Sequence, residues 1–413
     1  MTRRVAPSWR THDVWAIAGS AFFADLGYQA VLAGFPLFLV LTLHQPTWEY
    51  GLASALSYGG GAVFSYLGGR LGDRVGHRRL ALAGNAVIPM LSLSALVASP
   101  AWAIGLLTGG WWARNLRSPS RRVMLVEAVP ESERRPAAFG FLHALDVGGG
   151  ALAGLYVLLA LAGHVAFRWI FLATAVPLAL STITLSRART GARTARPDRP
   201  APDAGTGGGA DPGAPSAGGL DARPGARALL TAATLYGFTY YSAGFPVLTV
   251  AQAGGHLLDG VGAFLVLQAA SATSGYVLGG RLAADLSRQF TQLGLLGYLG
   301  AGLGAGLVAL GYGAHLGLGV LFAGVVVVGA SLGVVETLEP SAMSILGVSR
   351  RAGRGFGALS AARSAGTFAG NLAMGLLYGV GVSAAYGYAA GMATAAAVVV
   401  LAAVPALRRS GDT

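Results

Sequence analysis

Residues 69–80 read GRLGDRVGHRRL, a short charged segment between two long apolar stretches. These stretches cover residues 50–70 and 79–98, and each is close to the length of about 20 residues with which a helix crosses a bilayer. Backbone polar groups inside a bilayer must be satisfied within the segment, so both stretches are expected to be helical. The segment therefore predicts a transmembrane helical hairpin with its turn at the membrane surface.

The same alternation of apolar stretch and polar turn continues along all 413 residues. Of these residues 54% are hydrophobic and 11% are charged, against roughly 25% charged in an average soluble protein. So few charges cannot cover a soluble surface, and the absence of cysteine excludes a disulfide scaffold. We predict an all-α membrane protein with twelve transmembrane helices near residues 14–42, 50–70, 79–98, 101–121, 137–161, 166–186, 228–251, 259–281, 291–312, 318–340, 355–378 and 383–406.

Arginine supplies every basic residue, and its positions account for the net charge of +12. If the N-terminus lies inside, the inner turns hold nearly all of the loop arginines, such as those at 70–79 and 408–409, whereas the outer turns hold only Arg168. This asymmetry is the positive-inside rule. It predicts a multi-pass protein of the cytoplasmic membrane with both termini cytoplasmic, and it explains the charge without a nucleic-acid partner.

Residues 191–227 interrupt the helical pattern with 9 glycines, 6 prolines and one large aliphatic residue, Leu220. Such a composition cannot bury a core and predicts a disordered cytoplasmic linker. The linker separates an N-terminal six-helix bundle, 1–190, from a C-terminal six-helix bundle, 228–413.

The two bundles share an internal repeat. The sequence AGFP at 33–36 recurs at 243–246, and GGRL at 68–71 recurs at 279–282, with offsets of 210 and 211 residues. Matches in the same order at nearly the same offset predict two homologous bundles that face each other across a cavity. This arrangement is typical of transporters with alternating access to a site near the bilayer midplane.

Together with the repeat, the loop at 69–80 resembles the signature G-x-L-a-D-r-x-G-r-r of the major facilitator superfamily, twelve-helix type. The resemblance implies a monomeric secondary transporter that is not an enzyme, and it assigns Gly69, Asp73, Arg74, Gly76 and Arg78 to a conformational latch. The Asp73 carboxylate would face the N-terminus of helix 11 or an arginine of helix 4. The arginines would meet acidic headgroups or loop residues, or they mark only the inner membrane face.

Charged residues inside the predicted helices are candidates for substrate binding and proton coupling, because burying them in the bilayer is costly. Asp25 in helix 1 could carry a proton, contact a cationic substrate, or form a structural hydrogen bond. Asp146 in helix 5 and Arg363 in helix 11 are repeat equivalents at an offset of 217. They could pair in one conformation, bind the two ends of a zwitterion, or lock the halves as a static pair, and His143 could share the proton of Asp146.

Helix 4 carries Arg114, Arg117 and Arg121 at spacings that place them along one helix face. This stretch resembles an arginine motif of proton-coupled facilitators, in which an arginine tunes a nearby carboxylate or attracts an anionic substrate. Glu336 and Glu339 occupy the equivalent region of helix 10. We predict that they face the arginines of helix 4 and form an ion-pair gate between the halves at the cytoplasmic mouth.

The favoured function is proton-coupled export of an amphipathic drug or metabolite. The alternatives are proton-driven uptake of a small anionic or zwitterionic metabolite through Arg114 and Arg363, or a membrane-integral receptor or assembly protein. The predicted partners are a small-molecule substrate, protons and membrane lipids, with no cofactor and no metal. The sequence GASLG at 329–333 fits the serine-nucleophile pattern G-x-S-x-G, but it lies in an apolar helix rather than a strand–turn–helix.

Overall fold

The computed structural model describes residues 9–129, 135–190, 224–239, 241–279, 285–346 and 352–411. These residues form twelve helical segments joined by turns, and no strand occurs among them. The segments are α1, His12–Pro36 continued by Leu37–Thr42; α2, Thr47–Ser54, Ala55–Gly59 and Gly61–Val75; α3, His77–Val87 and Ile88–Leu93; α4, Pro100–Ala128; α5, Arg135–Ala162; α6, Phe167–Ala173 and Ala175–Ser186; α7, Pro224–Gly237 and Gly244–Gly254; α8, Leu257–Gly279; α9, Leu286–Gln292, Leu293–Leu299 and Gly300–Gly313; α10, Leu318–Leu346; α11, Ala352–Val380; and α12, Val382–Gly411.

Seven of these segments, α1, α5, α6, α8, α9, α10 and α12, are long and apolar enough to cross a membrane by length and composition. The other five are interrupted or more polar; α4, for example, contains the arginines at 114, 117, 121 and 122. The predicted all-α membrane fold is confirmed.

The segments pack as two bundles with the same internal arrangement. In the N-terminal half, α1 packs on α5 and α6, and α4 packs on α2 and α3. The C-terminal half repeats these pairs six helices later, because α7 packs on α11 and α12, and α10 packs on α8 and α9. The internal repeat of the sequence is thus a pseudo-symmetry of the fold.

One boundary of the predicted linker is wrong. Helix α7 begins at Pro224, so the last four residues of the predicted linker are helical. Proline is favoured in the first turn of a helix, and Ala226 is fully buried in the C-terminal core with Leu229. Residues 191–223 lie outside the described residues, as does most of the second GGRL copy at 279–282.

The two ends of the bundle differ in charge. We call the end where α1 begins and α12 ends the terminal side, and the opposite end the distal side. The α2–α3 turn on the terminal side contains Arg70, Arg74, Arg78 and Arg79, whereas Arg168 lies in the first turn of α6 on the distal side.

The halves meet in the distal portions of their helices. Between described residues, two hydrogen bonds join them: Thr47 Oγ1 donates to the Gly375 carbonyl at 3.2 Å, and the Tyr50 and Ser242 hydroxyls lie 2.7 Å apart. Gly51 of α2 touches the backbone of α11 so closely that a Cβ there would lie 2.7 Å from the Gly375 Cα. We call these contacts the distal seal. On the terminal side, no extensive packing joins α4 and α10 among the described residues.

Candidate functional site

A cavity of about 430 Å³ lies between the two halves, within the usual range for small-molecule sites. Both halves contribute aromatic rings, amides and hydroxyls to its walls, and each half contributes one charged residue among the lining residues that the structure describes. The N-terminal wall includes Gln29, Tyr58, Trp111, Arg114 and Asn115, and the C-terminal wall includes Tyr236, Thr239, Tyr241, Ser242, Gln268 and Glu336. The lining suits a small amphipathic solute.

Arg114, a candidate for substrate binding and proton coupling, lies on the cavity wall, and aromatic rings hold it rather than a carboxylate. Its guanidinium carbon lies 4.8 Å from the ring centroid of Trp111 and 5.3 Å from that of Tyr28. One terminal nitrogen is 3.5 Å from the Tyr28 hydroxyl, and the Nε atom has no hydrogen-bond partner. Stacking on π faces stabilises a cation without neutralising it, so Arg114 retains capacity for an anion.

Asp25 is buried in α1 beside this arginine, with 5% of its surface exposed. Its Oδ2 atom is buried without a hydrogen-bond partner. Arg114, Arg121 and Asp146 are close enough to interact with it electrostatically. The carboxylate is therefore within electrostatic reach of two arginines of α4 and of the Asp146 carboxylate.

Asp146 and Arg363 do not pair with each other. Arg121 of α4 binds the Asp146 carboxylate at 3.5 Å within the N-terminal half. Arg363 binds Glu336 of α10 at 2.6 Å and also binds Glu339, both within the C-terminal half. Helices of one half pack together, so these side chains reach each other without crossing the cavity. A static pair that locks the halves is absent from this conformation.

His143 does not contact the Asp146 carboxylate. The imidazole is exposed on α5, and the Asp146 Oδ1 atom has no hydrogen-bond partner. The proton sharing predicted for this pair is therefore not seen in the described residues.

Arg117 is not part of a gate facing α10, which corrects the sequence-based prediction. It is fully buried inside the N-terminal half and donates to the Asn85 amide oxygen of α3 at 2.8 Å. Gly84 makes room for this side chain, because a Cβ at that position would lie 2.8 Å from the Arg117 Cβ. Glu336 and Glu339 bind Arg363 instead, so the predicted ion-pair gate between the halves is also absent here.

The loop assigned to a latch forms the turn between α2 and α3. The exposed Asp73 carboxylate pairs with His77 Nε2 at 3.3 Å, and among the described residues no ion pair joins it to an arginine of α4. Gly76 adopts φ +94° between α2 and α3, a conformation that favours glycine. Gly69 has open space at its Cβ position, and Arg74 is exposed.

Arg78 of this loop caps the end of α6, a role that the motif did not reveal. Its guanidinium donates to the Ser186 carbonyl at 2.7 Å and to the Ala188 carbonyl at 2.8 Å. A cation suits the last carbonyls of a helix. The signal available in the sequence was only the positive charge.

The family model for the Major Facilitator Superfamily matches residues 17–349, which include most of both halves and the whole cavity lining. The chain belongs to the Major Facilitator Superfamily. As a member of this superfamily it is a multi-pass membrane protein and a secondary transporter of a small molecule, not an enzyme. No curated protein matches the sequence.

Solved transporters share the fold of this superfamily member at low sequence identity. The nucleoside transporter NupG is 13% identical with a TM-score of 0.73, covering 95% of this chain and 99% of its own. A peptide transporter, POT, is 17% identical with a TM-score of 0.73, covering 96% and 95%. A bacterial homolog of the human lysosomal transporter Spinster, inward-facing and unoccupied, is 13% identical with a TM-score of 0.66, covering 96% of each chain. These likenesses show the fold alone.

The sequence analysis missed most of the cavity aromatics of this superfamily member. No sequence pattern distinguished Tyr58 and Tyr236, which lie on helices, or Tyr241, which does not. The hydroxyl of Tyr241 is buried without a hydrogen-bond partner. It lies in the break of α7 between Gly237 and Gly244, and the two glycines were the only signal for that break.

Proposed function

We propose that this chain moves a small amphipathic solute across the cytoplasmic membrane by alternating access, coupled to protons. The observation behind the proposal is a single cavity lined by both halves and closed on the distal side by the seal. A solute at this position would be exposed to one side of the membrane at a time as the halves rock. The mixed aromatic and polar lining suits an amphipathic solute.

The proposed orientation places the terminal side in the cytoplasm. The arginines of the α2–α3 turn support it, because positive residues favour the cytoplasmic face of a membrane. In this orientation both termini are cytoplasmic, and the described conformation faces inward. We propose a monomer, since each chain contains a complete cavity.

Asp25 is the proposed proton carrier of the transport cycle. A buried carboxylate inside a membrane is costly in its charged form, and the free Oδ2 atom can accept a proton without first breaking a hydrogen bond. Protonation would remove a negative charge beside Arg114 and Arg121. A proton and a solute that both interact with this cluster would therefore influence each other's binding.

The position of Arg114 favours proton-driven uptake as a second candidate besides the predicted export. Neutralising Asp25 would leave Arg114 with a stronger attraction for an anionic group, so the proton and the anion would bind together. Cooperative binding supports symport, whereas export by antiport requires the proton and the solute to compete. The sign of the coupling thus separates the two directions.

Flux into proteoliposomes with an imposed pH gradient tests the proposal. Wild-type protein is expected to concentrate at least one solute of a broad amphipathic panel in a gradient-dependent manner. Asp25→Asn should retain counterflow and lose concentrative transport, and Asp146→Asn provides the parallel test of the carboxylate that interacts electrostatically with Asp25. Asp259→Asn, in the first turn of α8 on the distal side, is the matched control.

Two results would count against this proposal. Lack of gradient-dependent flux for every solute of the panel would contradict proton-coupled transport. Undiminished concentration of solute by both Asp25→Asn and Asp146→Asn would show that neither carboxylate is the essential proton carrier.

A further inference from the structure

The cavity has one described charge of each sign on opposite walls. Arg114 lies on the wall of the N-terminal half, and Glu336 lies on the wall of the C-terminal half. Charges in a water-poor site of a membrane protein need partners, because a lone buried charge is costly. The question is whether the protein supplies those partners or leaves them to a ligand.

Among the described residues, the interior of the N-terminal half has more positive than negative charge. Three arginines of α4, Arg114, Arg117 and Arg121, lie inside this half with two carboxylates, Asp25 and Asp146. Arg121 has the carboxylate of Asp146. By contrast, Arg114 has aromatic rings and a long contact to a tyrosine hydroxyl, with no carboxylate within 4.0 Å among the described residues. Of the three, Arg114 is the one that lines the cavity.

Among the described residues, the C-terminal side of the cavity has more negative than positive charge. One guanidinium, that of Arg363, serves two carboxylates, Glu336 and Glu339. The Glu339 side chain is fully buried and also accepts a hydrogen bond from the Tyr298 hydroxyl at 2.7 Å. The Glu336 side chain is 48% exposed and borders the cavity. The surplus negative charge is therefore available to a ligand at Glu336.

We propose that the transported solute carries both charges: an oxyanion group, such as a carboxylate, bound at Arg114 and a protonated nitrogen bound at Glu336. An apolar portion between the charges would lie against the rings of Tyr58, Tyr236 and Tyr241, which line the same cavity. Only a solute with both groups supplies a counter-charge to each wall and so links the two halves. The inference rests on the proposed function, since it assigns a chemical class to the solute of that transporter.

Binding of four probes that share a para-substituted benzene ring to the purified protein tests the inference. The probes are para-(aminomethyl)benzoate, which is zwitterionic, para-methylbenzoate, para-methylbenzylamine and para-methylbenzyl alcohol. A series of ω-aminoalkanoates of increasing chain length varies the charge separation. We expect a zwitterion of suitable length to bind about tenfold or more tightly than the probes with one charge, as each charge-assisted hydrogen bond adds affinity. Calorimetry and the shift of thermal unfolding measure the binding.

Single substitutions assign each end of the ligand. Arg114→Gln should weaken the zwitterion and the anion without affecting the cation, and Glu336→Gln should weaken the zwitterion and the cation without affecting the anion. Arg114→Lys keeps the positive charge and is expected to retain part of the binding, which separates a binding effect from misfolding. Arg168→Gln is the matched control, because Arg168 also lies over a tryptophan ring, that of Trp169 at 5.4 Å, but outside the cavity.

Three results would overturn the inference. The first is wild-type protein that binds a neutral or singly charged probe as tightly as the best zwitterion. The second is unchanged binding of the zwitterion to Arg114→Gln, and the third is no binding of any probe at millimolar concentration. The flux assay distinguishes this failure from failure of the proposed function. If the chain concentrates a neutral or singly charged solute, transport stands and the inference fails. If zwitterions bind with the expected pattern but no solute crosses the membrane, the inference stands and transport fails.

Discussion

Substitution of Gly51 by alanine should open the distal seal. In the described conformation a Cβ at this position would lie 2.7 Å from both the Asn371 carbonyl oxygen and the Gly375 Cα. Both atoms belong to the backbone of α11, so no side-chain rotation can relieve the clash. The helices must separate, and the conformation closed on the distal side becomes less favourable.

The expected magnitude follows from what differs between the two conformations. Alanine favours a helix over glycine by about 1 kcal/mol, but α2 is helical whichever side is open, so this term cancels. The clash exists only when the seal is closed, and overpacking of this kind costs about 1–3 kcal/mol. A bias of that size moves a two-state equilibrium by roughly 5- to 150-fold.

Accessibility of a single cysteine measures the shift. The chain has no cysteine, so Leu332→Cys on the cavity wall creates a unique thiol without further changes. An impermeant thiol reagent added on the distal side of oriented proteoliposomes should label this cysteine faster when Gly51→Ala is present. Gly105→Ala is the matched control, because nothing lies within 4 Å of a Cβ at that position in α4. Identical labelling rates in Gly51→Ala, Gly105→Ala and the parent would refute the reasoning.

Three further substitutions test single contacts of the fold. Asn85→Ala removes the hydrogen-bond acceptor of the buried Arg117 guanidinium. Thermal unfolding should therefore show a loss of about 1–3 kcal/mol in the free energy of unfolding. An unchanged unfolding temperature would contradict this expectation. Arg363→Gln leaves two neighbouring carboxylates without their shared cation, which should lower the free energy of unfolding by about 3 kcal/mol. Adding Glu336→Gln should restore part of this loss. No recovery in the double variant would argue against repulsion between the two carboxylates. The Asp285 carboxylate accepts hydrogen bonds from two backbone N–H groups at the start of α9, which lowers its pKa. Its contribution to stability is therefore complete at neutral pH and lost as the pH falls through the lowered value, so Asp285→Asn should unfold at a lower temperature than wild type at neutral pH and converge with it in acid.

The helices and their repeat could be predicted because they depend on local properties. Apolar length defines a membrane span, and Pro-, Gly- and Arg-rich segments define its ends. Arg114 could also be found, since an arginine in the middle of an apolar helix is rare enough to indicate a site. The same reasoning located Asp25 in the interior of α1, where its side chain is buried.

The partners of the charged residues could not be predicted, because they depend on packing between helices that are distant in sequence. Arg114 and Arg117 are three residues apart and share a broad helix face in the sequence. The rings of Tyr28 and Trp111 hold the first at the cavity, whereas Gly84 on α3 admits the second into the protein interior. A helical wheel contains neither the rings nor the space beside the glycine.

Repeat symmetry also misled the prediction for Asp146 and Arg363. Equivalent positions in two halves do face the same central axis, so a pair between them was reasonable. A guanidinium, however, binds whichever carboxylate lies nearest, and Arg363 finds its glutamates one helix away within its own half. Pairing across the cavity would have required a closer approach of the halves on the terminal side, where the described residues of α4 and α10 do not pack extensively.

The distribution of contacts has a consequence for the transport cycle. Breaking one partner from a buried ion pair costs about 3–5 kcal/mol, whereas a neutral hydrogen bond contributes only about 0.5–1.5 kcal/mol. The ion pairs described here lie within one half or the other and can move with it as the halves rock. The distal seal consists of hydroxyls, a backbone carbonyl and facing glycines. Opening it therefore breaks weak neutral contacts and leaves those ion pairs intact, which keeps the energetic difference between the two conformations small enough for the binding of a solute to control.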